Sequence, residues 1–193
     1  IDKYLFQHFT LGFNMSNDLS GAMELVKHFY LADSDISEDD RWDLIDFGSD
    51  FIFNHPARRM AEKLLADGAE TVYRYVFSFQ GNLNQNYVGA THSEEVQYLF
   101  GSNINEETSP EYLLTVERFS RLWSNFIKYG DPTPELSDLL PVKWIPMTKT
   151  TEPYMDIGSE LNVFSRPFYD RLAFWDLFYK QYGHYQKWYQ INN

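Results

Sequence analysis

At 193 residues, 44% hydrophobic and 18% aromatic, the chain has the material for one domain with a substantial core, and its 16 Phe, 14 Tyr and 5 Trp demand extensive burial. A formal net charge of -12 argues against a nucleic-acid or anionic-membrane partner, since either calls for clustered Lys and Arg. Cysteine is absent, which removes disulfide frameworks and thiolate metal sites, and no run approaches the ~18 apolar residues of a membrane span.

The first stretch mixes aromatics with Gly12, Asn14, Asn17 and Asp18 and reads as irregular or weakly helical. It holds one N-glycosylation acceptor pattern, Asn14-Met15-Ser16, which would be usable in a secreted, extracellular protein. No signal peptide stands at Ile1. Apolar positions at Ala22/Met23, Val26 and Phe29/Tyr30 predict a short helix over 19–31. The acidic run from Asp33 to Asp40 lacks the central Gly and closing Glu of a calcium loop. Ser37 with Asp40 reads instead as a capping box, opening a helix at about Glu38 with Trp42, Ile45 and Ser49 on one side.

Asn54-His55-Pro56 predicts a second helix start or a kink, because proline is accepted in a first turn. Ala57, Met60, Ala61, Leu64 and Leu65 fall at helical spacing, and Gly68 stops that helix. Val72-Tyr73-Arg74-Tyr75-Val76-Phe77-Ser78-Phe79 is the most strand-like run, and apolar groups on both of its faces suggest a strand covered on both sides. A polar loop with Gly81 follows. Then comes Gly89-Ala90-Thr91-His92-Ser93-Glu94-Glu95-Val96-Gln97-Tyr98-Leu99-Phe100, a loop histidine entering a short helix.

Ser109 and Pro110 read as the cap and first residue of a helix ended by Gly130 and Pro132, with Leu113, Val116, Phe119, Trp123, Phe126 and Ile127 as its apolar stripe. The Pro-rich stretch 131–152 predicts a surface connection with Lys143-Trp144-Ile145-Pro146 tucked back. Residues 154–157 and 161–163 predict a hairpin around Gly158. Phe168, Leu172, Trp175, Tyr179 and Tyr182 mark a last helix, and their rings read as core rather than a cofactor box.

A histidine on a loop between a strand and a helix is where an α/β hydrolase keeps its catalytic base. The segment around His92 resembles the histidine motif of the type-B carboxylesterases and cholinesterases: a small residue after the histidine, two residues often acidic, an aliphatic, a variable position, Tyr, and an aliphatic-Phe pair. Further features are similar to that family in the same order: Phe53-Asn54-His55-Pro56-Ala57-Arg58-Arg59, then Leu122-Trp123-Ser124-Asn125-Phe126 running to Gly130-Asp131-Pro132, then Trp144 with Pro146, Tyr154 with Ile157, and Arg171 with Phe174-Trp175. The style resembles insect carboxylesterases, including juvenile-hormone-esterase-like and antennal esterases.

The resemblance implies an α/β-hydrolase fold, of which these residues supply the last sheet strands with their covering helices, in one domain without a separate second one. It implies hydrolysis of small-molecule carboxylic esters through an acyl-enzyme, with His92 as the base and with Glu95 matching a carboxylate that supports the histidine loop. It implies no cofactor and no metal. No G-x-S-x-G elbow occurs in these residues, and nucleophile and acid precede the histidine in this fold's chain order. The expectation is therefore a C-terminal portion, partnered by an N-terminal portion of the same enzyme that carries the serine and the acid. His8, His28, His55 and His184 read as structural or surface residues, and Glu94 as a helix-start residue. The alternatives are a non-catalytic relative serving as a binding or adhesion protein, and a fragment acting alone, which would expose a sheet edge and an apolar patch.

Overall fold

A computed structural model describes residues 13, 17–32, 37–81, 89–101 and 104–185. Asn14 and His8 lie outside the described residues, as does part of the acidic run. Backbone contacts divide the chain into two compact units, one of residues 1–60 with 168–193 and the other of residues 61–167.

In the first unit, helix α1 (Asn17–Leu31) buries Ala22 and Val26, as its spacing predicts. Helix α2 (Arg41–Ser49) starts three residues later than expected. The cause is local: Asp40 Oδ2 accepts both the backbone N–H (2.7 Å) and the hydroxyl (3.0 Å) of Ser37, while Ser37 Oγ accepts the Asp39 N–H at 3.2 Å. The pair closes a turn ahead of the helix instead of capping it. The side that carries Trp42 and Ile45 is the exposed one, and Phe47 and Phe51 are buried in its place.

Between α2 and α3 (His55–Ala66) the backbone widens into a π turn over Asp50–Asn54, with the His55 N–H on the Asp50 carbonyl. Pro56 explains it. A proline in an α-helix lacks the N–H for the preceding-turn carbonyl and its ring crowds that oxygen, and a wider turn relieves both. The break expected at 54–56 is thus a π bulge. It turns Asp50 inward, fully buried, where its carboxylate accepts the Tyr30 hydroxyl at 2.9 Å and the Asn54 amide at 2.8 Å. The last α-helix of the unit, Tyr169–Tyr182, buries Leu172, Trp175 and Phe178, and Trp175 Nε1 donates to the Tyr30 hydroxyl at 2.8 Å.

His55 is structural, as expected, and its titration has a consequence for stability. The residue is 1% exposed, with Nε2 3.0 Å from Asp176 Oδ1, its ring stacked on Tyr179 at 4.9 Å, and Nδ1 buried without a hydrogen-bond partner among the described residues. Asp176 also binds Arg58 at 2.6 Å, and the Arg59 guanidinium lies over the Tyr179 ring. Burial lowers the His55 pKa, opposed by the Asp176 hydrogen bond and charge and assisted by Arg59 and Arg58. A folded-state pKa below the unfolded one means the unfolded chain binds more protons just below the ordinary ~6.5. The contribution of neutral His55 is complete above that pH and is lost as pH falls through the folded-state pKa. Urea midpoints should therefore fall more between about pH 7 and about pH 5 for the wild-type protein than for His55→Phe, which keeps the ring stack but cannot titrate. Equal falls would remove His55 from the acid sensitivity.

In the second unit, α3 ends in a left-handed Gly68 (φ +98), with the Ala69 N–H on the Leu64 carbonyl (2.9 Å) and the Gly68 N–H on Leu65 (3.3 Å). Of its apolar positions Ala61 and Leu65 are buried, whereas Met60 and Leu64 are exposed. A three-stranded sheet in the order β1-β2-β3 is built from Tyr75–Phe77, Pro153–Ile157 and Leu161–Ser165. β1 runs parallel to β2, pairing Val76 with Asp156, and β2–β3 is the expected hairpin around Gly158.

β1 is shorter than its sequence suggests because both flanks leave the ladder. Val72 bridges to Met147, and the N–H groups of Ser78 and Phe79 both converge on the Ile157 carbonyl, at 3.0 and 3.2 Å. The long helix α5 here means Pro110–Tyr129, after the short helix α4 (Glu94–Leu99), and the Tyr169–Tyr182 helix is α6. α5 has the ends expected of it: Ser109 Oγ accepts the Tyr112 N–H at 3.2 Å, and Gly130 takes φ 69. Trp144 is tucked back as predicted, its N–H on Thr133 Oγ1 (2.9 Å) and its Nε1 on the Arg74 carbonyl (3.0 Å).

Candidate active site

His92 stands in the turn that enters α4, downstream of β1, and its side chain is exposed. The turn is built by its neighbours. Glu94 Oε2 accepts the Thr91 N–H at 2.8 Å and the Thr91 hydroxyl at 3.0 Å, while the Glu94 N–H returns to the Thr91 carbonyl at 3.1 Å. Thr91-His92-Ser93-Glu94 is thus a reciprocal box with the histidine held inside it. The pattern of a Thr with an acid three residues on is the signal in the sequence that could have found it.

Ser93 adopts φ 64, ψ 11, a left-handed conformation that disfavours side chains with branching or bulk at Cβ. That geometry gives the small residue after the histidine a physical reason. The backbone reverses there, so that His92 stays outside the helix while Glu94 begins it.

Glu95, three residues after His92, is half-buried on the first turn of α4. Its charge reaches the phenol of Tyr75 on β1, whose pKa is raised by burial first and by Glu95 second. Glu94, the helix-start residue, supplies two of the hydrogen bonds that shape the histidine turn. His92 thus stands in the turn before α4 and Glu95 in the first turn of that helix. Asn14 lies outside the described residues.

Tyr98, named in the sequence only as the Tyr of the motif around His92 and given no role there, anchors this segment by packing. It is the buried side chain of α4, fully enclosed against Phe77 and Phe79 of the strand segment and against Tyr112 of α5, with ring centroids 5.2, 5.5 and 4.5 Å away. Burial holds its phenol well above the ordinary range, with Glu94 and Tyr112 adding to the shift. Among the described residues no group of three or more His, Cys, Asp or Glu is placed to hold a metal ion. No described helix is long and apolar enough to cross a membrane.

A strand, a loop histidine and a helix seated on that strand is an arrangement in which an exposed imidazole can exchange protons while its backbone is fixed. Comparison with known proteins gives the arrangement a context. The model of the carboxylesterase family matches residues 3–175. The chain is 28% identical over 123 residues to bile salt-activated lipase of Homo sapiens, a match covering 61% of this chain and 16% of the lipase. It is 27% identical over 139 residues to esterase FE4 of the insect Myzus persicae, covering 64% of this chain and 23% of the esterase. Over 159 residues it is 28% identical to acylcarnitine hydrolase of Rattus norvegicus, covering 79% of this chain and 27% of the hydrolase. The chain thus spans 16% to 27% of the length of these curated relatives. Its mixed sheet with covering helices agrees with part of the α/β-hydrolase fold that the family adopts. A match that runs unbroken through the strand, the histidine turn, the hairpin and into α6 places the chain in the carboxylesterase family.

Proposed function

We propose that these residues are the histidine-bearing C-terminal portion of a single esterase domain, and that the complete protein hydrolyses small-molecule carboxylic esters with a Ser-His-Glu/Asp triad. The placement of His92, in a built turn between a parallel strand and a helix within a carboxylesterase-family match, is the observation that supports it most. In this reading the nucleophilic serine and the acid belong to an N-terminal portion of the same enzyme.

His92 takes the proton of the serine hydroxyl as that oxygen attacks the ester carbonyl, and backbone N–H groups hold the oxyanion. The tetrahedral intermediate collapses by breaking the bond to the alkoxy group, and the imidazolium passes its proton to that oxygen, so the alcohol leaves neutral. Water then attacks the acyl-enzyme by the same route in reverse, with His92 taking a water proton and returning it to the serine. Imidazole suits both directions because its ordinary pKa of ~6.5 lets it act as base and acid near neutrality. The acceptor pattern at Asn14 supports a secreted location.

Labelling the native protein with a fluorophosphonate probe, followed by denaturing mass analysis of each polypeptide, tests the proposal. Covalent label on a serine outside these 193 residues, in the same protein, is expected. Absence of label on a folded, complete protein would overturn the esterase assignment and leave a binding role.

A further inference from the structure

The segment that carries His92 begins at the exit of β1 and ends in α4, a helix of six residues. A helix that short has no stability of its own, so its place must come from what it packs against. Tyr98 supplies that packing, and it does so at both ends of the segment. Its ring lies 5.5 Å from Phe79 and its hydroxyl lies against Gly81, on the stretch where the chain leaves β1. Its own backbone belongs to the helix by which the chain leaves the histidine turn.

Contact at Gly81 is close enough to fix the residue type. A Cβ built there would collide with the Tyr98 hydroxyl oxygen, whereas its next neighbours, Tyr98 Cζ at 3.4 Å and Phe79 Cε1 at 3.5 Å, would stand at ordinary contact distance. The backbone of Gly81 is outside the left-handed region, so among the described residues the obstacle to a side chain there is that hydroxyl. The hydroxyl itself is buried, with no hydrogen-bond partner among the described residues. It acts by occupying space.

We infer that Tyr98 and Gly81 form a staple that closes the two ends of the His92 segment, making Tyr98 a positioning residue for the catalytic base. The inference rests on the assignment of His92 as that base. Because a reacting group displaced by about 1 Å loses about 10²-fold in rate, opening the staple should act on turnover more than on substrate binding.

The test is a set of variants in the complete enzyme, with kcat and KM for an aryl ester normalised to active sites titrated by a fluorophosphonate. Gly81→Ala pushes the hydroxyl aside and is expected to lower kcat about 10²-fold with KM little changed. Tyr98→Phe removes the colliding oxygen and with it the contact at Gly81 but keeps the ring contacts, so alone it should lower kcat less than Gly81→Ala does. Combined with Gly81→Ala it should restore most of the lost turnover, an effect that general loss of stability would not produce. Tyr98→Leu keeps Gly81 and loses the ring contacts, and it should lower kcat even if Gly81→Ala fails to fold. Unchanged kcat in both Gly81→Ala and Tyr98→Leu, or a folded double variant no faster than Gly81→Ala, would overturn the inference. Full activity of His92→Gln would instead fell the assignment on which it rests.

Discussion

On the proposed role of His92 as the base, its replacement by glutamine in the complete protein is expected to lower kcat for a short-chain aryl ester by about 10⁴- to 10⁶-fold, with kcat/KM falling in step. Glutamine has a similar reach and can donate and accept hydrogen bonds, but it cannot take a proton from the serine and return it to the leaving oxygen. Equal loss in kcat and kcat/KM is the signature of an interaction made only in the transition state. The fold should be indifferent to the change. His92 is exposed, and its turn is held by Thr91 and Glu94, so the substitution should move stability by no more than about 0.5 kcal/mol. Steady-state kinetics beside a urea melt separate the two quantities. A variant that turns over at the wild-type rate would take His92 out of the mechanism.

How much of this was legible in the sequence depended on whether the deciding physics was local. The ends of α5 were, because Ser109, Pro110 and Gly130 act through neighbouring backbone groups alone. Its buried face was not. The apolar stripe from Leu113 to Ile127 predicts one seam, yet Leu113, Phe126 and Ile127 are exposed, and burial runs through Tyr112, Thr115, Arg118, Phe119 and Leu122. Arg118 is inside because its guanidinium donates to the carbonyls of Leu139 (3.3 Å) and Ser159 (2.9 Å), partners 21 and 41 residues away that no helical period encodes. The π turn was hidden for a related reason: Pro56 announces a disturbance, but the inward turn of Asp50 depends on Tyr30 and Arg171. At the candidate site, spacing and residue type left His92 an ordinary loop histidine. The family resemblance singled it out, while the burial of Tyr98 behind its segment required the fold.

The largest expected effect on stability lies at Asp50. Its carboxylate is fully buried, accepts from Tyr30 and Asn54, and faces Arg171, whose Nε is 2.6 Å from Oδ2 and whose Nη1 also pairs with Asp46. Asp50→Ala removes the acceptor for the Tyr30 hydroxyl proton and the buried counter-charge of Arg171, which is left with Asp46 at the surface. Breaking one side of a fully buried pair costs about 3–5 kcal/mol, and since Arg171 is partly exposed and keeps Asp46 the loss here should lie at the low end, about 3 kcal/mol. Urea unfolding of the complete protein should show that loss as a lower midpoint with an unchanged slope. The double variant Asp50→Leu, Arg171→Met distinguishes lost compensation from lost packing. It removes both charges and restores apolar volume, so its stability should exceed that of Asp50→Ala despite carrying one more substitution. A double variant as unstable as the sum of the two single changes would mean that the charges act independently, and that the π turn is held by the Tyr30 and Asn54 hydrogen bonds rather than by the ion pair.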